Sequence, residues 1–347
     1  MEFLTPFSEQ EHFPQSARCS TAFSLFPVFS ALFPKLKQMQ IIPLESLKIG
    51  ANDAHRALQN AEKLPEWMKT KAGKFRQMSA TDELLRERGI VTVCQEARCP
   101  NIGDCWSHKT ATFMIGGDAC TRNCGFCNVS TAKPRALDPF EPQKVALAAR
   151  ELGLKYVVIT SVDRDDLLDG GAAHWVATIE AVRSELPGAQ IEILTPDFKG
   201  KWENVETVAA TRPHVYNHNI ETVPSLYRHV RPGSGYARSL ELLQRVKAFD
   251  ARIQTKSGLM LGLGETREQV VEVLHDLRAH DVDFLTIGQY LRPTPRHLPV
   301  ARYAHPDEFE ELKQVGEAMG FSMVASGPFV RSSYHAGEDF ARASVAS

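Results

Sequence analysis

From about residue 110 onward, short apolar runs that end in polar residues alternate with amphipathic helical stretches, and no other feature limits the fold so strongly. The predicted strands are 111–116, 156–162, 191–195, 215–220, 253–261 and 284–289, with helices such as 142–152, 174–185, 239–249 and 267–279 between them. Strand then helix, repeated about six times, implies parallel pairing, because a parallel neighbour is reached only through a crossover connection. Six units rather than eight predict an α/β chain forming a partial (β/α)6 barrel open on one side, although an open doubly wound sheet has the same periodicity. In either arrangement ligands bind at the C-terminal ends of the strands.

Those ends are polar. They read Thr160-Ser161-Val162-Asp163-Arg164-Asp165-Asp166, Thr195-Pro196-Asp197, Asn217-His218-Asn219-Ile220-Glu221, Thr255-Lys256-Ser257-Gly258 and Gln289-Tyr290-Leu291-Arg292. Five such ends on one face predict a ligand pocket, whereas Asp163, Asp165 and Asp166 alone read as a solvated acidic turn.

Length and composition set the remaining bounds. A chain of 347 residues with 43% hydrophobic and 24% charged residues is one large globular domain with appendages, not a disordered, collagenous or polytopic membrane protein. A formal charge of −2 gives no reason to expect a nucleic-acid or membrane-surface partner. Residues 1–38 are Phe-rich and interrupted by Pro, and their apolar stretch is broken at Pro27, short of the roughly 20 residues of a membrane span. Glu2, Glu9 and Glu11 fit neither a secretory signal nor a presequence. We read Met39 as the natural start and 1–38 as a disordered or non-native extension. Residues 39–92 follow as an N-terminal arm and helix: 51–62 as a short helix, 63–68 as an extended segment laying Trp67 on the body, and 78–89 as a helix capped by Ser79 or Thr81.

Six of the seven cysteines fall between Cys94 and Cys127, with Cys19 alone in the tail. Such clustering in a large chain points to metal rather than to disulfides, and so to a reduced compartment, a bacterial cytoplasm or, as the alternative, an organelle. Cys120-x3-Cys124-x2-Cys127 directly follows the first strand. Three thiolates on so short a loop select zinc or an iron–sulfur cluster. Mononuclear zinc wants a fourth Cys or His, and none follows until His174. Three ligands on a cubane instead leave one iron open to a reaction cofactor. Cys94-x4-Cys99-x5-Cys105 lies upstream, in 93–110, and cannot complete the first site without leaving two thiols idle, so a second centre is the economical reading.

Cys-x3-Cys-x2-Cys with Phe126, after the first strand of a βα series, resembles the radical S-adenosylmethionine (SAM) superfamily. The resemblance implies a TIM-type partial barrel over 111–320. It also implies a [4Fe-4S] cluster on Cys120, Cys124 and Cys127 whose open iron chelates SAM and cleaves it reductively to a 5′-deoxyadenosyl radical. Both triplets together resemble the lipoyl synthase family, with TSVDRDDLLDGG at 160–171, NHNIETV at 217–223, VRPGSGY at 230–236, TKSGLMLGLGE at 255–265, GQYLRPTPRHLP at 288–299 and ASGPFVRSSY at 325–334.

That family implies a second, auxiliary [4Fe-4S] cluster on Cys94, Cys99, Cys105 and a serine of the C-terminal segment 321–347, carried here to Ser333, with Ser332 the alternative. It implies insertion of two sulfurs at C6 and C8 of an octanoyl chain on a carrier lysine, the auxiliary cluster being the sulfur donor. No side-chain acid or base is needed for hydrogen abstraction. Asn219 and Lys256 are expected to hold SAM. The expected partners are octanoylated lipoyl carrier domains (dehydrogenase E2 subunits and the glycine-cleavage H protein) and a low-potential electron donor, with no nucleic acid or membrane, for a monomeric enzyme. Other radical SAM sulfur-inserting enzymes and a zinc-stabilised binding module are the competing readings.

Overall fold

The computed structural model describes residues 64–68, 75–107 and 111–346, excepting the side chains of 75–79 and 344–346. The chain divides after Glu62, and all described residues lie in the second unit, Lys63–Ser347. The expectations for 1–38 and for a helix at 51–62 fall outside the described residues.

Seven strands build one sheet: β1 (Thr112–Ile115), β2 (Tyr156–Ser161), β3 (Gln190–Leu194), β4 (Val215–Asn217), β5 (Gln254–Leu261), β6 (Phe284–Gln289) and β7 (Met323–Ser326). They lie in chain order and every neighbouring pair is parallel. Val157, Ile159, Ile191, Ile193, Leu285 and Ile287 are fully or almost fully buried. Apolar runs this continuous are what a parallel sheet covered on both faces demands. The sheet is the predicted partial barrel, open between β1 and β7. β7 is an addition to the six expected strands. It is four residues long and only Val324 in it is buried, so no apolar run announces it.

Helices α1 (Phe75–Glu87), α2 (Val93–Glu96) and α3 (Ile102–Ser107) precede the barrel. Outside it run α4 (Glu141–Leu152), α5 (Ala172–Glu185), α6 (Trp202–Ala209), α7 (Tyr236–Phe249), α8 (Arg267–Ala279) and α9 (Pro306–Ala318). α8 starts at Thr266, whose hydroxyl accepts from the Gln269 N–H while the Gln269 side chain accepts from the Thr266 N–H. The expected cap of α1 is corrected: the helix begins at Phe75, and Thr81 sits inside it with its hydroxyl donated to the Trp106 carbonyl (3.1 Å). Glu66–Met68 is a 3-10 turn rather than an extended segment, and Trp67 packs edge-on against the His305 ring at 4.9 Å.

The N-terminal end of the barrel is closed by a last helix, α10 (Ala336–Ala346). Its Phe340 meets the rings of Tyr156, His214 and Phe284, so the first residues of β2 and β6 pack on this plug. The opposite end, where the strands terminate, holds a cavity.

Candidate active site

A cavity of about 460 Å³ occupies the C-terminal ends of the strands. Its size lies in the range of small-molecule sites. Cys94, Cys99, Cys120, Cys124 and Cys127 all line it. Cys105 packs behind them against the core, and all six are free thiols. Two triplets that the chain separates therefore share one chamber.

The first triplet rides on a loop leaving β1 through Gly116 and Gly117, whose φ of 84° and 98° only glycine tolerates comfortably. The N–H groups of Arg122 and Asp163 both point at Cys120 Sγ, each at 3.4 Å. Arg122 binds Asp165 through two nitrogens (2.8 and 2.9 Å) and Asp197 through one (2.6 Å), and lies 3.3 Å from Asp163. Asp197 also accepts from Arg238 Nε at 2.8 Å. Burial alone would raise the Asp197 carboxyl, but its bonds to Arg122 hold it well below the usual range. The carboxylates are not a solvated acidic turn, the alternative to the predicted pocket: Asp163 lines the chamber, Asp165 is spent on Arg122 and Asp166 on Arg164 (2.8 Å). On the far side, the Leu298 N–H donates to the Gly125 carbonyl (3.0 Å) and His297 Nε2 to the Cys127 carbonyl (2.9 Å).

The upstream triplet meets the C-terminal segment. Thr112, which lines the chamber together with Cys94, donates its hydroxyl to Ser333 Oγ at 2.8 Å. Tyr334 donates to Asp104 Oδ2 (3.1 Å) and Asn101 to the Phe329 carbonyl (2.7 Å). Ser332 turns the other way, accepting from Asn217 (2.7 Å) and donating to Asn219 (3.0 Å).

Burial pushes the thiols up: Cys105 and Cys124 to about 12 and Cys127 to about 11. Such thiols are protonated at neutral pH, so taking up metal must displace their protons. Among the described residues, no three His, Cys, Asp or Glu side chains converge as ligands of a single metal ion would. The thiols stand instead around a chamber wall, which suits a cluster whose cysteines bind separate irons. His174, the distant fourth ligand of the zinc alternative, is paired with Glu141 (2.5 Å) away from the chamber.

Several wall groups lack partners. Ser161 Oγ, Asn217 Oδ1 and Arg231 Nε are buried without a hydrogen bond. Each such group costs about 1–3 kcal/mol, which a polar ligand can recover. Glu221, in the same wall, holds a φ of 68° and accepts from Asn219 (3.1 Å). Burial raises its carboxyl against the opposing charge of Arg231. Of the two residues expected to hold SAM, Asn219 lines the chamber and Lys256 does not: it is 1% exposed and gives its ammonium to both oxygens of Glu192 (2.9 and 3.1 Å). Sequence reasoning missed Arg122, Glu192 and Arg231. Only Glu192 left a signal, a lone charge in an otherwise apolar strand.

Residues 114–277 match the family model of the Radical SAM superfamily, and this stretch is a Radical SAM superfamily domain. A domain of this class implies SAM and one [4Fe-4S] cluster. The fold is similar to that of HydG, a maturase of the [FeFe]-hydrogenase (13% identity, TM-score 0.51, covering 85% of this chain and 70% of that one). Methylornithine synthase PylB also matches (14% identity, TM-score 0.47, covering 81% of this chain and 83% of that one). So does Streptococcus suis SuiB bound to S-adenosylmethionine, at 16% identity and TM-score 0.47, covering 65% of this chain and 51% of that one. The chain thus spans about half the length of the SuiB chain it matches. Among the described residues no helix is long and apolar enough to cross a membrane.

Proposed function

We propose that the protein is a lipoyl synthase, inserting sulfur at C6 and C8 of an octanoyl chain carried on a lysine of a lipoyl domain. The observation that carries this reading is the meeting of Ser333 with the Cys94 neighbourhood through Thr112, on the wall of the chamber that also holds Cys120, Cys124 and Cys127. A radical SAM domain needs only the second set. A fourth, oxygen ligand brought from far along the chain, Ser333, to the triplet Cys94, Cys99 and Cys105 is what a second, dismantlable cluster asks for, since oxygen holds iron less firmly than thiolate.

In this reading Cys120, Cys124 and Cys127 hold one cluster and Cys94, Cys99, Cys105 and Ser333 the other. When bound, these groups and SAM supply the reducing electron, the hydrogen-abstracting radical and the sulfur. The chain's own residues position and shield. Arg122 and His297 fix the loop of the first triplet from opposite sides. Asn219, Glu221 and Arg231 offer polar groups to SAM, while Lys256 holds Glu192 in place. The Ser333 hydroxyl accepts from Thr112, whereas that of Ser332 is committed as both acceptor and donor, which favours Ser333 as the ligand.

The test is anaerobic reconstitution followed by mass spectrometry of an octanoyl-lysyl peptide incubated with SAM and a reductant. The expected product has gained two sulfurs as the dithiol, and loses two hydrogens only when that dithiol is oxidised to the ring disulfide. Formation of 5′-deoxyadenosine with the octanoyl peptide unchanged would remove lipoyl synthesis and leave another radical SAM reaction.

A further inference from the structure

The Arg331–Tyr334 turn carries adjacent serines that face different partners. Ser332 is seated between two side chains at the C-terminal end of β4, Asn217 at 2.7 Å and Asn219 at 3.0 Å. The seat is itself held. Asn217 Nδ2 also donates to Glu192 Oε1 (3.1 Å), and Glu192 accepts from Tyr156 Oη (2.7 Å) and from Lys256. Glu192, Asn217 and Lys256 are at most 1% exposed. A buried ion pair contributes little net stability but strongly penalises any arrangement that separates its charges, so it suits the fixing of geometry.

We propose that Ser332 is a positioning residue: its hydroxyl, locked into the Asn217–Asn219 seat that the Glu192–Lys256 pair holds, aims Ser333 at the Cys94, Cys99 and Cys105 triplet. This inference rests on the reading of Ser333 as an iron ligand. Neighbouring residues in a turn cannot move independently, so fixing one hydroxyl fixes where the next can reach. A second restraint comes from β6, where a Cβ on Gly288 would lie 2.2 Å from the Val330 carbonyl; the turn thus rests directly on a bare strand. The buried charges gain a purpose that SAM binding does not give them.

The experiment uses the full chain with Cys120, Cys124 and Cys127 replaced by Ala, reconstituted anaerobically with ⁵⁷Fe, so that iron in the upstream site alone is read by Mössbauer spectroscopy. With Ser332 present, one iron should differ from the other three. Ser332→Ala should lose that distinct iron while the three thiolates retain a cluster, Asn217→Ala should do the same, and Ser332→Thr, which keeps the hydroxyl, should restore it. A distinct iron that persists unchanged in Ser332→Ala overturns the positioning role and leaves the ligand reading standing. If the chain with Ser332 and Ser333 intact shows no distinct iron, the ligand reading falls and this inference falls with it.

Discussion

At the scale of single residues, the thiols carry the sharpest expectations. Replacing Cys120, Cys124 or Cys127 by Ala should abolish 5′-deoxyadenosine formation, because an incomplete ligand set presents no open iron. Replacing Cys94, Cys99 or Cys105 should spare SAM cleavage and stop sulfur transfer; lipoyl product at a rate near the parent's would sink the donor role. A different residue governs pH. His218 is buried, with Nδ1 donating to the Thr195 carbonyl (2.8 Å) and Nε2 accepting from Ser239 (3.0 Å), so it is held neutral. Burial, then the charge of Arg231, presses its pKa down to about 4. The unfolded chain protonates this ring near 6.5 and so binds more protons than the folded chain between those values. Stability is therefore lost as pH falls through that window, by about 2 kcal/mol between pH 7 and 5. Urea midpoints at the two pH values should differ less in His218→Gln than in the parent.

Among the elements, the cysteine loop depends on its neighbours for its shape. Arg122→Gln leaves Asp165 and Asp197 without their main partner, and removing one side of a buried ionic pair costs about 3–5 kcal/mol. Arg122→Lys should recover little of this, since one ammonium cannot copy a fork shared by two carboxylates. Thermal melting of the iron-free chain reads the loss; variants melting like the parent would show that the loop holds its shape without the arginine. The opposite side of the loop is a tight contact: a Cβ on Gly125 would lie 2.9 Å from Leu298. Gly125→Ala should cost about 1–3 kcal/mol by overpacking, and a second change, Leu298→Ala, should recover part of it. Purely additive losses in the double variant would assign the cost to the backbone instead.

For the molecule as a whole, the C-terminal segment joins the two ends of the barrel. Its turn at 331–334 enters the chamber, and its helix α10 closes the opposite end with Phe340. Phe340→Ala should lower stability by about 3 kcal/mol, read as a shifted denaturant midpoint. A shift below about 1 kcal/mol would mean that the barrel end is closed by other groups.

Much of this was legible from residue order. The strand–helix alternation determined parallel pairing, since each apolar run was too short for a helix and each amphipathic stretch too long for a turn. Two cysteine triplets pointed to metal, because a thiol's affinity for iron or zinc belongs to its chemistry and does not depend on the fold around it. Tertiary structure decided what those groups meet. Lys256, which reads as a ligand contact, turned into the barrel because a carboxylate lies opposite on β3, a pairing that depends on strand register. Arg122 reads as one polar residue among cysteines and became the anchor of their loop because Asp165 and Asp197 lie beside it only once β2 and β3 have paired. Ser332 and Ser333 are chemically alike and adjacent; what separates them is that Asn217 and Asn219 stand beside one and Thr112 beside the other. Patterns with a short period are written into a chain, whereas a contact between residues far apart in sequence exists only when the intervening chain has folded.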